Sequence, residues 1–349
     1  MTSNEGTSES PTVSVVVIGR NEGERLSRCL ESARAMTAPA GGLELIYVDS
    51  ASRDDSVARA RRCGARVVEL DTSRPCAAAG RNAGWRSARA PFVLFLDGDT
   101  IVDPRFVVEA LPEFADPSVA VVWGHRRELA PHASLYNRAL DLDWVYRPGR
   151  AELCGGDALM RRDALVALDG FDETLIAGEE PDLCRRLRER GLAILHVDLA
   201  MTRHDLAMRS FREYWRRARR AGHAYAEVAA RSSGGALPLW QDVARRNRVH
   251  AIGLLAAPLV AGAAALALRS AWPLIAACVL AVLLLARTAW RNRWKSDDLA
   301  TLALYALHSH LQQLPIFAGQ LAYALARLRG RRVALIEYRH ASTAPQEVA

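Results

Sequence analysis

The chain has 349 residues, half of them apolar, enough for one large domain and an appendage. Its formal charge of +7 is carried almost wholly by arginine, Lys295 being the single lysine; no nucleic-acid motif accompanies it, so nucleic acid is not an expected partner. Six scattered cysteines without a CxxC pair exclude a disulfide framework in a chain of this size and fit a reduced, cytoplasmic setting.

In chain order, Met1 to Ser10 is polar, lacks the basic start and apolar stretch of a signal peptide, and reads as a disordered tail. Val13–Ile18 is a short β-branched run that predicts a buried strand. The loop Gly19–Glu22 follows, then a helix on which Leu26, Leu30 and Ala33 recur at helical spacing. Leu43–Val48 predicts a second strand ending at Asp49. The cap-rich stretch Ser50 to Asp55 starts a helix to about Cys63, and Ala65–Leu70 predicts a third strand. A helix over Gly80–Ala88 leads to a fourth strand, Phe92–Leu96, which ends at Asp97-Gly98-Asp99; Val119–Trp123 is a further strand. This alternation predicts an α/β fold with a Rossmann-like, mostly parallel sheet covered on both faces. Ligands bind beyond the carboxyl ends of such strands, so the loops GRNE, DSASRDD and DGD should converge on one crevice.

Composition changes near Ser232. Ser232-Ser233-Gly234-Gly235 has linker character, dividing the chain into an α/β domain at 11–231, a linker and juxtamembrane stretch at 232–250, and a helical membrane region at 251–349. A cut near Ser232 should therefore release a more soluble fragment. Ala251–Leu268 and Ala271–Ala286 are apolar, separated by Arg269-Ser270. At ~1.5 Å per residue the first reaches roughly 27 Å, close to the ~30 Å hydrocarbon core, so a transmembrane hairpin is expected. Arg245, Arg246 and Arg248 precede the hairpin; Arg287, Arg291 and Arg293 follow it. Both ends should face the cytoplasm at the inner membrane, with the α/β domain on that side. Leu299–Leu328, interrupted by Pro315, is a third span, a re-entrant segment or an amphipathic interfacial helix, and a basic tail follows it.

Asp97 and Asp99 flank a glycine at the end of an apolar strand. Ionised carboxylates crowded there repel one another unless a cation joins them. Hard oxygen ligands suit Mg²⁺ or Mn²⁺, while a plain Asp-Gly turn is the ordinary alternative. Gly178-Glu179-Glu180-Pro181-Asp182 sets three carboxylates at a helix start, where they complement the helix dipole or offer a general base. Arg81 stands near a helix start, suited to phosphate or carboxylate, or is simply a solvated helix residue. His204, past strand-like Ile194–Val197, is a structural residue or a contact to metal or diphosphate. Ser210–Arg220 mixes Phe211, Tyr214 and Trp215 with arginines, as a helix at headgroup level would.

Taken in order, VSVVVIGRNE, VDSASRDDS, AGRNAG, FLDGDT, CGGDALMRRDAL, GFDE and GEEPDLCRRL resemble the family 2 glycosyltransferases over about residues 11–230. The resemblance implies a GT-A fold and inverting transfer from a nucleotide-diphosphate sugar, a UDP-sugar in the first instance. The acceptor it implies is a hydroxyl of a lipid-linked or cell-envelope glycan at the membrane; the cofactor is Mg²⁺ or Mn²⁺. It implies that Asn21, Glu22 and Asp49 hold the nucleoside and that Arg81 contacts the nucleotide. Asp97 would face the ribose or sugar and, with Asp99 and His204, the metal. Gly155, Gly156, Asp157 and Asp182 would line the sugar or acceptor pocket, and Glu180, or its neighbour Glu179, would be the catalytic base. Glu180 stands where the family usually has aspartate, a departure that keeps the carboxylate. Trp215-Arg216-Arg217 matches the QxxRW motif of processive relatives only in part, which argues against processive polymerisation. Two other readings stay open. A GT-A-like nucleotidyltransferase would need a glycine-rich phosphate loop, which Gly19–Gly23 supplies poorly. A non-catalytic, membrane-bound sugar-nucleotide-binding protein would not need both acidic motifs intact.

Overall fold

The computed structural model describes residues 10–71 and 75–330; the tail up to residue 9 and the basic end from residue 331 lie outside the described residues. β1 (Val13–Gly19) is buried almost throughout because both of its faces are covered, which is why its sequence is a continuous apolar run. It pairs in parallel with β2 (Leu43–Asp49) on one side and β4 (Phe92–Asp97) on the other, and β3 (Arg66–Glu69) adds in parallel outside β2. The crossovers are α1 (Glu24–Arg34), α2 (Ser56–Arg62) and α3 (Ala77–Ser87). Then come β5 (Thr100–Val102), α4 (Phe106–Ala110), β6 (Val119–Glu128), α5 (Leu135–Asp141) and β7 (Gly149–Ala151). β8 (Ala158–Arg161), α6 (Arg162–Ala167), α7 (Glu179–Glu189) and β9 (Ala193–His204) complete the α/β unit.

The sheet order is β3-β2-β1-β4-β8-β6-β9-β5, with β7 also paired to β9. β8 is antiparallel to β4 and to β6, and β6 is parallel to β9. β1, β2, β3, β4, β6 and β9 therefore all point one way, as expected of a mostly parallel sheet. The antiparallel β8 in its middle has no local signature, since a strand buried on both faces reads the same in either direction. The shared direction places Gly19, Asp49, Asp97 and His204, the carboxyl ends of four strands, along one edge.

α8 (Phe211–Arg231) opens on a capping box: Glu213 N–H donates to Ser210 Oγ at 3.3 Å, and Ser210 N–H donates to the Glu213 carboxylate at 2.9 Å. The stretch with linker composition is a packed turn, in which Leu239 N–H donates to the buried Ser232 Oγ at 3.0 Å. α9 (Gln241–Ala267) begins well before its apolar stretch, so Arg245, Arg246 and Arg248 are helical. α9 and α10 (Trp272–Arg291) are each long and apolar enough to cross a membrane, with mean hydropathy 2.0. Leu259 is 72% and Leu266 82% exposed, apolar surface that water alone would not favour.

Leu299–Leu328 is two helices, α11 (Leu299–Leu311) and α12 (Gln313–Leu328), meeting at Gln312; Pro315 falls in the first turn of α12, where no helical bond is lost. α12 lies directly on α8. A Cβ at Gly222 would stand 1.9 Å from Ile316 O, and one at Gly319 2.0 Å from Arg219 O, so two glycines set this approach. α8 is thus partly covered, with Tyr214 buried and Phe211 exposed. α11 is tied to α5: Arg138 pairs with Asp298, and its Nε donates to Thr301 Oγ1 at 2.6 Å.

Candidate active site

β4 delivers Asp97 to the sheet edge, and Gly98 N–H donates to Ile18 O at 2.8 Å, turning the chain beside β1. Asp99 is buried, its Oδ1 3.2 Å from His204 Nε2 at the end of β9. One ligand atom from each of Asp97, Asp99 and His204 lies within 4.8 Å of the other two. Two carboxylates and an imidazole fit a first-row divalent ion such as Mn²⁺ better than the all-oxygen shell Mg²⁺ favours.

Arg81, fully enclosed by α3, β4 and α7, forks between three carboxylates. Its Nη2 lies 2.9 Å from Asp97 Oδ1 and 3.0 Å from Glu180 Oε1, and its Nη1 lies 2.9 Å from Glu179 Oε1. Burial favours the neutral guanidine, but Glu180, Asp97 and Glu179 outweigh it and hold the group above its ordinary pKa. Arg81 therefore clamps the strand end to the start of α7, its guanidinium committed to carboxylates rather than presented to an open cleft. The two glutamates differ: the Glu179 side chain is 6% and that of Glu180 16% exposed. Burial pushes the Glu180 carboxyl up to about 7, with Arg81 opposing and Glu179 and Asp97 adding.

Gly155, Gly156 and Asp157 enter from the loop before β8. A Cβ at Gly156 would sit 2.5 Å from Arg81 Nη2 and 2.8 Å from Asp97 Oδ2, so a side chain here would displace the Arg81–Asp97 pair. At Gly155 it would meet Arg126 Nη1 at 3.3 Å. Asp157 Oδ1 accepts from Asp97 N–H at 2.9 Å and its Oδ2 from Thr202 Oγ1 at 2.8 Å, so it orients the β4 end. Burial pushes its carboxyl up to about 6; Arg126 opposes and Asp97 adds.

Asp49 accepts from Tyr47 OH at 2.9 Å and Ser52 N–H at 2.8 Å. Asn21 braces the same corner, its N–H donating to Ser52 Oγ at 2.9 Å and its Oδ1 accepting from Arg53 N–H at 2.7 Å. Glu22 pairs with Arg25 at 3.2 Å. These three border the edge beside the acidic cluster. Asp182 is engaged elsewhere, with Arg185 at 3.0 Å and Arg186 at 2.8 Å.

Two residues that the sequence analysis did not single out join the cluster. Arg126, on β6, lies 3.4 Å from Asp97 Oδ2 and 3.5 Å from Asp157 Oδ2, and its guanidinium stands 4.9 Å from the Trp144 ring centre. Trp144 in turn lies 5.1 Å from the His204 ring. The one local signal was the entry of charge into the otherwise apolar run VAVVWGHRRE.

A mostly parallel sheet whose carboxyl edge carries an Asp-X-Asp pair, a histidine and an arginine-clamped carboxylate pair is of the GT-A class. The solved structure of the mannosyltransferase PcManGT from Pyrobaculum calidifontis, in complex with GDP-Man and Mn²⁺, has the same fold. Its TM-score is 0.57 over 93% of this chain and 88% of that one, at 21% identity. This chain belongs to the family 2 glycosyltransferases: the family model described as Glycosyl transferase family group 2 matches residues 92–292, and that of Glycosyl transferase family 2 matches residues 14–166. It is 31% identical to the pre-mycofactocin glycosyltransferase of Mycobacterium tuberculosis over 260 residues, 65% of this chain and 52% of that protein. It is 22% identical to the glycosyltransferase AglE of Haloferax volcanii over 197 residues, 54% of this chain and 65% of AglE. The chain thus spans about half the length of the first of these relatives.

Proposed function

We propose that this chain is an inverting, metal-dependent glycosyltransferase that moves a sugar from a nucleotide-diphosphate sugar to a hydroxyl of a lipid-linked or cell-envelope acceptor. The observation that carries the reading is the Asp97–Asp99–His204 cluster standing beside Glu179 and Glu180 across Arg81. Asn21, Glu22 and Asp49 border the place where base and ribose would lie. Asp99 and His204, with Asp97, would hold Mn²⁺, which when bound neutralises charge growing on a departing diphosphate. Glu180, the more accessible of the two glutamates, takes the proton of the acceptor hydroxyl as it attacks the anomeric carbon. Gly156 keeps backbone, not side chain, against Arg81 and Asp97, and Asp157 holds the β4 end in place.

The GDP-Man and Mn²⁺ of the structural neighbour support a sugar-nucleotide donor and this metal, and leave the base open. The two apolar helices support membrane association, and the arginines on either side support a hairpin in the inner membrane with the catalytic face in the cytoplasm. A lipid-linked acceptor is then the substrate such a location would serve. The test is a screen of UDP- and GDP-sugars with the purified full chain and Mn²⁺, followed by transfer to membrane extract and organic-phase partition. Release of sugar from at least one donor, with label in the organic phase, is the expected result. No release from any donor would overturn the catalytic reading, and label confined to water-soluble product would overturn the lipid acceptor.

A further inference from the structure

Between α8, α9 and α12 lies a cavity of about 670 Å³. Its walls are mostly apolar, with Ala229, Ala244, Phe317 and Leu321 among them. Gln320 also lines it, 3% exposed, and neither its Nε2 nor its Oε1 has a hydrogen-bond partner among the described residues. A buried amide left dry on both atoms is unfavourable and rare in folded proteins, so a polar group belongs beside it. Arg248 and Arg327 also line it, beside Gln241 and Tyr323; both arginines are exposed, and neither is in an ion pair among the described residues. Arg248 stands just before Ala251, where α9 turns apolar, so in a membrane the cavity lies at headgroup level.

We propose that this cavity binds one anionic phospholipid. The phosphate meets Arg248 and Arg327, the headgroup enters the cavity with an oxygen against the Gln320 amide, and the acyl chains continue into the bilayer beyond Ala251. Charge complementarity, the unpartnered amide and the level of the site along α9 select this occupant. The inference rests on α9 lying in a membrane, not on the sugar-transfer reading. The cavity faces away from Glu180, because Ala224 and Val228 of α8 pack against Gly178 while Ala226 and Ala229 face the cavity.

The test is native mass spectrometry of the full chain in neutral detergent, titrated with short-chain phosphatidylglycerol or phosphatidylcholine. One phosphatidylglycerol per chain is expected to be retained, and phosphatidylcholine far less. Arg248→Ala with Arg327→Ala should weaken retention about tenfold or more, the scale of losing hydrogen bonds to a charged group. Ala229→Trp fills the cavity and should abolish retention. Gln320→Leu guards against misfolding: it should raise the melting temperature without lipid, by removing the dry amide, yet shrink the rise that phosphatidylglycerol gives. Equal retention of the two lipids, or retention untouched by Ala229→Trp, would overturn the proposal. So would inorganic phosphate stabilising the chain as much as phosphatidylglycerol does, which would mean a free-anion site. Retention appearing only after removal of residues 331–349 would mean that the chain fills the cavity itself. Donor hydrolysis on the same samples reports separately on catalysis.

Discussion

Burial, with Glu179 and Asp97 adding, disfavours the Glu180 anion more than Arg81 favours it, and pushes the carboxyl up to about 7. A general base works only when ionised, so turnover should climb as pH rises through about 7 and level off above it. Glu180→Gln should keep donor affinity, lower kcat about 10²-fold or more and remove that acid limb. A flat kcat profile across the neutral range in the wild type would contradict the assignment, and a dead Glu179→Gln beside an active Glu180→Gln would move the base by one residue. The Asp97–Asp99–His204 cluster, as a candidate metal site, makes a separate prediction. Two carboxylates this close to His204 need a cation to neutralise them once a diphosphate approaches. Asp99→Ala should abolish transfer, and chelator should do the same to the wild type, with activity returning on Mn²⁺. Full activity in excess chelator would exclude the metal. At both positions the carboxylates were legible in the sequence, since acidic residues ending an apolar strand and opening a helix are local patterns. Their union through Arg81 was not.

At the scale of elements, the helices after β9 are bound to the α/β unit by packing and by a buried polar network. Tyr214 OH lies 2.9 Å from His308 Nδ1, His308 Nε2 lies 3.1 Å from Asp143, and Tyr305 OH donates to Asp143 at 3.0 Å. Burial raises the Asp143 carboxyl, but His308, Tyr305 and Lys295 outweigh it and hold it below the usual range. Asp143 adjoins Trp144, so α8 and α11 help to set the ring beside His204. The α8–α12 contact depends on two glycines. Gly319→Leu should force these helices apart at a cost of about 1–3 kcal/mol, typical of overpacking, and lower the melting temperature in detergent. An unchanged melting temperature would mean that the approach is not tight. The interlock was illegible because each glycine, taken alone, only weakens its own helix; the reason for it stands on the partner.

For the whole molecule, the hairpin α9–α10 exposes leucines that only lipid or a partner would cover. A reporter at Arg269, between the two helices, should read as extracytoplasmic while one after residue 330 reads as cytoplasmic; a cytoplasmic reading at Arg269 would make the hairpin re-entrant or peripheral. The structure also changes what truncation should do. A cut at Ser232 removes α12 from α8 and α11 from α5, baring the apolar seam around Gly222 and leaving Asp143 without His308. Such a fragment should be less soluble than the full chain in detergent, contrary to the linker composition of Ser232–Gly235. A soluble, monomeric 1–232 fragment by size exclusion would show that these contacts are dispensable.

By itself the sequence determined the alternation of buried strands and helices, the strand-end carboxylates, His204 and the two long apolar helices. Each is a local pattern: a strand covered on both faces must be apolar throughout, and a spanning helix must be apolar over its length. The tertiary structure alone decided that Arg81 joins Asp97 to Glu179, a residue 98 positions after Arg81, that Arg126 and Trp144 flank the Asp97–Asp99–His204 cluster, and that Leu299–Leu328 folds back on α5 and α8. Ion pairs and close helix contacts depend on which faces meet, and no run of adjacent residues carries the identity of a partner so distant in the chain.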